Sequence, residues 1–218
     1  MPGKNIRLLG GRPLIKWSID ALNGVADICD VLVSTDDTAI AEVARAAGAI
    51  VPWLRPNELA TDTAKSVDVC LHALDWYERE KGGVDGVLLM QPTSPFRSRE
   101  TIVRGIDLFH EHNQRSVMGV APAQAHPMWC FEIQGDSMRP YIMSAEPNLR
   151  SQDLPPAYVI SGVLYLLTPR ELRECRAFYN DSTVPLIVDR PEEGIDIDTE
   201  WDWSIAEAYL LSNHVKLI

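Results

Sequence analysis

No stretch of this 218-residue chain is apolar for long enough to span a bilayer. The opening residues, MPGKNIRLLGGRPLI, hold no apolar h-region and no signal-peptide cleavage pattern. Cysteine is scarce: Cys29, Cys70, Cys130 and Cys175 lie far apart, with no CxxC pair. These features exclude a membrane partner and a disulfide framework. They predict a cytoplasmic protein whose thiols are reduced, mostly buried and packed as small hydrophobes. Cations are in deficit, with 20 Lys and Arg against 31 Asp and Glu and a net charge of −11. A nucleic-acid partner needs clustered Lys and Arg to neutralise phosphates, so that partner is excluded. One bound nucleotide needs only a few local cations and stays open. Neither a GxGxxG fingerprint nor a Walker sequence is present, and there is no internal repeat or low-complexity linker.

What remains is ordinary globular material: 46% hydrophobic and 23% charged residues, at a length that suits one α/β domain spanning 1–218. Helical periodicity predicts helices over 13–25, 38–48, 63–83, 98–113, 169–175 and roughly 201–212. Their ends carry matching punctuation: Pro13 in a first turn, Ser98 at an N-cap, and Gly24, Gly48 and Gly82-Gly83 after last turns. Short β-branched or apolar runs predict strands at 29–37, 49–54, 87–90, 116–123, 157–168 and 184–189, the second at an edge because of Pro52. Apolar strands alternating with helices predict an α/β fold of three layers, a mostly parallel sheet between helices. Residues 124–157 break the rhythm. They are rich in Pro, Gln and Asp and predict an antiparallel ribbon or arm. Trp76, Trp201 and Trp203 are expected to pack.

In open α/β sheets, ligands bind at the carboxyl ends of the strands. Ser34, Thr35, Asp36 and Asp37 follow one strand; Gln91, Pro92, Thr93, Ser94 and Pro95 follow another. Each group alone is also ordinary turn chemistry. A third group is denser: EGIDIDTEWDW, residues 193–203, sets five carboxylates in eleven residues. In an extended strand Ile195 and Ile197 point one way and Asp196 and Asp198 the other, with Cα atoms about 7 Å apart. Two like charges held together call for a counter-charge, which a divalent cation supplies. Mg²⁺ takes one or two carboxylates plus substrate phosphates, which matches Asp196 and Asp198. The competing reading is a helix start, with Asp198 or Thr199 as N-cap and Glu200 and Asp202 at its positive end. Asp196 precedes any such cap. Both readings stay open on residues alone.

Cations for a phosphate cluster at the other end. Lys4, Arg7, Arg12 and Lys16 surround Gly3, Gly10 and Gly11, which reads either as a basic glycine-rich phosphate cradle or as ordinary surface. Arg55 precedes a helix start carrying Asp62, Thr63 and Ser66, whose free N–H groups suit an anion.

Taken together, PGKNIRLLGGRPLI, VSTDD, RPNELATDTAKS, QPTSPFR and IDIDTEWD resemble, in order, the motifs of the cytidylyltransferases that make CMP-sialic acid and its relatives. The resemblance covers nearly the whole chain. It implies a nucleotide-diphospho-sugar-transferase-like fold and attack of the anomeric hydroxyl of an acidic 2-keto sugar on the α-phosphate of CTP. Carried over by motif, Lys4 and Asn5 contact the nucleotide, Lys4 at phosphate; Arg55, Ala64 and Ser66 are further nucleotide contacts. Gln91 and Arg150 contact the sugar, and Asp196 and Asp198 bind Mg²⁺. Lys4 and Asp198 are then the catalytic pair, and 124–157 is a dimerisation arm of a homodimer. Sialate enzymes carry Arg and Asn where YVISGVLY has Val159 and Ser161, so legionaminic, pseudaminic or other ulosonic acids fit the resemblance as readily as sialic acid. Family chains begin earlier, with a buried strand and a phosphate loop. The resemblance therefore predicts weak stability and low activity for a chain starting at Met1, or a non-catalytic nucleotide-binding homologue. A nucleotidyltransferase for a different sugar is the other alternative.

Overall fold

The computed structural model describes residues 1, 3–61, 63–143 and 150–212. A 3-10 turn, Lys4–Ile6, leads into a small hairpin, β1 (Leu8–Leu9) and β2 (Arg12–Pro13). Then follow α1 (Leu14–Ala21), α2 (Thr38–Ala46), α3 (Ser66–Glu80), β3 (Val87–Leu89), α4 (Arg99–Glu111) and β4 (Val117–Pro122). A second hairpin, β5 (Phe131–Gln134) and β6 (Ser137–Pro140), precedes β7 (Tyr158–Leu167), α5 (Pro169–Cys175), β8 (Val184–Ile187) and α6 (Glu200–Leu211). The helix ends follow local chemistry. Asp37 accepts from the N–H groups of Ala39 and Ile40, Ser98 accepts from Thr101, and Thr168 and Thr199 each complete a reciprocal capping box.

The main sheet has four strands in the order β3-β7-β4-β8. It is mixed: β4 and β8 pair parallel, while β7 runs against both β3 and β4. Apolar runs signal a buried strand but carry no sign of direction, so β7 departs from the otherwise parallel set. The reversal matters, because it brings the first half of β7 to the end of the sheet where the other strands exit. The 29–37 and 49–54 segments are not full strands; Leu32 and Ile50 form an isolated parallel bridge, and Val31 to Val33 are half-buried.

Leu164 and Leu166 of β7 pack with Ile102, Ile106 and Phe109 of α4. Leu167 turns to Val67 and Leu74 of α3 and Leu172 of α5, so helices cover both faces. A third cluster joins Leu9, Leu14, Trp17 and Phe96 to Ile197 and Trp203, fastening the acidic segment to the chain start. Trp201 does not pack as expected; at 72% exposed it stands on the outer side of α6. Nor are the thiols mostly buried: Cys29 and Cys175 are exposed, and the other two are half-buried.

Helix α4 lies close against the sheet at Gly105. A Cβ there would come 2.7 Å from Leu164 Cδ2 and 3.4 Å from Leu186 Cδ2. Alanine gains about 1 kcal/mol of helix propensity over glycine, but overpacking a core costs about 1–3 kcal/mol. Gly105→Ala is expected to lower the thermal midpoint by about 2–4 °C despite the better propensity, as a circular dichroism melt will read.

Candidate active site

The four N-terminal cations divide their work. Gly10 and Gly11, at φ +58° and +78°, form the two-residue turn of the β1–β2 hairpin. Arg12 and Lys16 both pair with Asp20. Arg7 grips Glu200 through two hydrogen bonds, 2.7 and 2.8 Å, and stacks over Trp203. Lys4 differs: its Nζ donates to the Ile197 carbonyl at 2.7 Å and to Asp198 Oδ1 at 3.1 Å. Its side chain is 18% exposed against 70% for Asp198.

The acidic segment shows the two-faced alternation expected of it. Ile197 is fully buried and Ile195 half-buried, while Asp196 and Asp198 are both exposed. The Ile197 N–H donates to the Thr93 carbonyl at 2.8 Å, so both backbone groups of Ile197 are held, one by the β3 exit and one by Lys4. The N-cap of α6 is Thr199, and Asp202 accepts from it. Those hydrogen bonds hold the Asp202 carboxyl below its ordinary value. Asp198 is therefore not the cap.

Glu193, the first acid of the run, does something its sequence neighbours do not signal. It is 2% exposed and accepts from the Ser98 N–H at 2.9 Å and the Thr101 hydroxyl at 2.6 Å, bracing the start of α4. Arg97, next to Ser98 in sequence, is also buried. It donates to the Ser18 hydroxyl and to the carbonyls of Gln91 and Gly162. Burial lowers its pKa to about 9, against the opposing pull of the Asp196 and Glu193 charges. In the sequence Arg97 stands only as the last residue of the QPTSPFR stretch, with nothing to mark it as buried.

Arg55 lies at the exit of the 31–33 segment. Its guanidinium donates to the Ser34 hydroxyl at 3.2 Å and to the Ser34 carbonyl, and its N–H donates to the Thr35 carbonyl at 2.7 Å. Nearby, burial pushes the Cys70 thiol up to about 11, which favours the protonated thiol. Ala64 is half-buried in the turn before α3, and Ser66 is the first, exposed residue of α3. Lys65 is its N-cap and supplies no side-chain bond, so among the described residues no side chain caps the first N–H groups of α3. Asp62 lies outside the described residues. Asn5 shares the turn with Lys4, and that turn packs against α1 and α2.

The structure thus joins Lys4, Asp198 and the β3 exit, which carries Gln91, into one cluster. Ala64 and Ser66 lie at the start of α3, while Arg55 is held at Ser34 and Thr35 with its charge felt at Cys70 of α3. Arg150 is exposed, and among the described residues only its carbonyl is engaged, by the Asp153 N–H at 2.9 Å. Part of the 124–157 excursion, 144–149, is outside the described residues. Ser161 is buried and Val159 is exposed. Among the described residues, no group of three or more His, Cys, Asp or Glu makes a full metal cage. A pair of exposed carboxylates does fit a hard cation that takes most of its oxygens from phosphate and water.

An α/β scaffold in which a lysine from the chain start meets an acidic segment beside a strand exit is compatible with chemistry on a phosphorylated ligand. Comparison with known proteins narrows this. The cytidylyltransferase family profile matches residues 1–127. The chain is 37% identical to the CMP-N,N′-diacetyllegionaminic acid synthase of Legionella pneumophila, over 100% of this chain and 94% of that protein. It is 28% identical to an N-acylneuraminate cytidylyltransferase of Streptococcus agalactiae, over 93% of this chain but 48% of that longer protein. Among solved structures, a CMP-2-keto-3-deoxy-manno-octonic acid synthetase complexed with CTP superposes at a TM-score of 0.67 and 14% identity, covering 97% of this chain and 93% of that one. The chain belongs to the cytidylyltransferase family.

Proposed function

We propose that this protein transfers CMP from CTP to the anomeric hydroxyl of an acidic 2-keto sugar, of the legionaminic, pseudaminic or sialic type. The anomeric oxygen forms a bond to the α-phosphorus, the bond from that phosphorus to the β-phosphate oxygen breaks, and pyrophosphate leaves. The hydroxyl proton passes to water. The observation that carries this reading is the pinning of Lys4 onto Asp198 and Ile197, from opposite ends of the chain, beside the exit of β3.

Transfer at phosphorus is catalysed mainly by positioning and charge neutralisation. Lys4 would offset charge on the phosphates. Arg55 and the N-terminus of α3, whose N-cap Lys65 supplies no side-chain bond, would hold the nucleotide. Gln91 and Arg150 would contact the sugar. Asp196 and Asp198 would hold Mg²⁺, which when bound neutralises triphosphate charge. CTP also argues for a cytoplasmic setting, and no helix among the described residues is long and apolar enough to cross a membrane. Pyrophosphate release, measured with CTP and each of N,N′-diacetyllegionaminic, pseudaminic and N-acetylneuraminic acid, tests the reading. CTP binding without release in any mixture would point to a non-catalytic homologue.

The same reading includes a homodimer. Every residue of the β5–β6 hairpin is exposed, and Phe131, Ile133 and Met138 on it are large and apolar. Trp129 and Tyr141 flank them, exposed as well. Apolar side chains concentrated on a two-stranded ribbon suit a covered surface better than a wet one. Ile133→Asp with Met138→Asp is expected to convert a dimer to a monomer in sedimentation velocity, with the monomer's circular dichroism unchanged.

A further inference from the structure

Arg97 is 1% exposed and cannot reach a substrate, yet its three hydrogen bonds go to three separate elements. Nη1 donates to Ser18 of α1 at 2.7 Å; Nη2 donates to the Gln91 carbonyl at 2.5 Å and to the Gly162 carbonyl of β7 at 3.1 Å. Nε has no partner among the described residues. A buried guanidinium is costly, and neutral acceptors repay it poorly. A charged residue here needs a reason beyond filling volume.

Two of its partners define the seat of Gln91. A Cβ on Gly162 would lie 2.8 Å from Gln91 Oε1 and 2.6 Å from Ser94 Oγ, so the Gln91 side chain rests on the bare backbone of Gly162. Arg97 thus clamps the Gln91 backbone while Gly162 leaves room for its amide. The Asp196 carboxylate is within its electrostatic reach. The exit of β3 also receives the Ile197 N–H at Thr93, so Gln91 and the acidic segment share one support.

We infer that Arg97 is a positioning residue for the sugar half of the site: with Gly162 it holds Gln91 in register with Asp196, and so governs affinity for the sugar acid and not for CTP. The inference rests on the cytidylyltransferase reading of the site. It marks Arg97 and Gly162 as determinants of specificity that touch no substrate.

Pyrophosphate release with CTP and N,N′-diacetyllegionaminic acid, varied in turn, tests it on the parent protein, Arg97→Lys and Gly162→Ala. Lysine keeps the charge but cannot span three acceptors as a planar fork does. Alanine at 162 leaves every Arg97 acceptor in place, because the acceptor there is backbone, and pushes on the Gln91 amide and the Ser94 hydroxyl, both at the exit of β3. A displacement of about 1 Å can cost about a hundredfold. Both variants are expected to raise the KM for the sugar acid between about tenfold and a hundredfold, with the KM for CTP within about twofold of the parent. If Arg97→Lys does not fold, Gly162→Ala decides. Equal rises in both KM values, or parent values in Gly162→Ala, overturn the inference alone. A parent protein without sugar-acid-dependent release overturns the functional reading, and the inference falls with it.

Discussion

Asp198→Ala is expected to cut turnover by about a hundredfold to a thousandfold while moving the thermal midpoint by no more than a few degrees. The two halves of this expectation have separate grounds. The structural role of Asp198 is small. Its carboxylate is 70% exposed, its one side-chain partner among the described residues is Lys4 at 3.1 Å, and the cap of α6 belongs to Thr199. An exposed ion pair of this kind contributes about 0–1 kcal/mol. The chemical role is large under the proposed function, because half of the protein's charge on a triphosphate-bound cation would be lost. Turnover measured against Mg²⁺ concentration separates the explanations: the variant should need more Mg²⁺ for whatever rate remains. Glu200→Ala serves as the control. Glu200 is equally exposed, two residues away, and spends its charge on Arg7. Removing it should cost little rate. An Asp198→Ala protein with parent turnover would end the cation assignment.

How far the sequence reached can be judged residue by residue. Helix limits were legible because their causes are local: Ser98 before Arg99, Thr168 before Pro169, and Gly48 just past the end of α2. The alternation of Ile195 and Ile197 with Asp196 and Asp198 was legible for the same reason, since a period of two needs no knowledge of what lies opposite. The direction of β7 was not legible, because antiparallel and parallel neighbours bury the same side chains. Gly10 and Gly11 left two readings open, since positive φ serves a hairpin turn as readily as a phosphate cradle. Lys4 and Asp198 are 194 residues apart, and no local pattern joins them; the resemblance to known motifs did. Arg97 and Glu193 escaped because charge in a sequence reads as surface, and only the fold shows that both are buried.

Lys4→Met is expected to lower kcat by about a hundredfold or more, with a loss of about 1 kcal/mol in stability. Methionine keeps the stem and loses the ammonium, so packing around the chain start should survive. The stability loss comes from the Ile197 carbonyl, which would lose its 2.7 Å donor. That bond is part of what holds the acidic segment in place, so position and charge are both at stake. An ammonium has three N–H donors. In the structure one goes to Ile197 and one to Asp198, which leaves a third for a phosphate oxygen without breaking either bond. Lys4→Arg separates the two roles. Arginine keeps a positive charge but presents a planar fork where a compact point donor now sits, so it should recover part of the rate and little of the geometry. A Met variant that melts early but turns over at the parent rate would reduce Lys4 to a strut. A variant with parent stability and a collapsed kcat would place the lysine's charge, and not its tether, at the centre of the reaction.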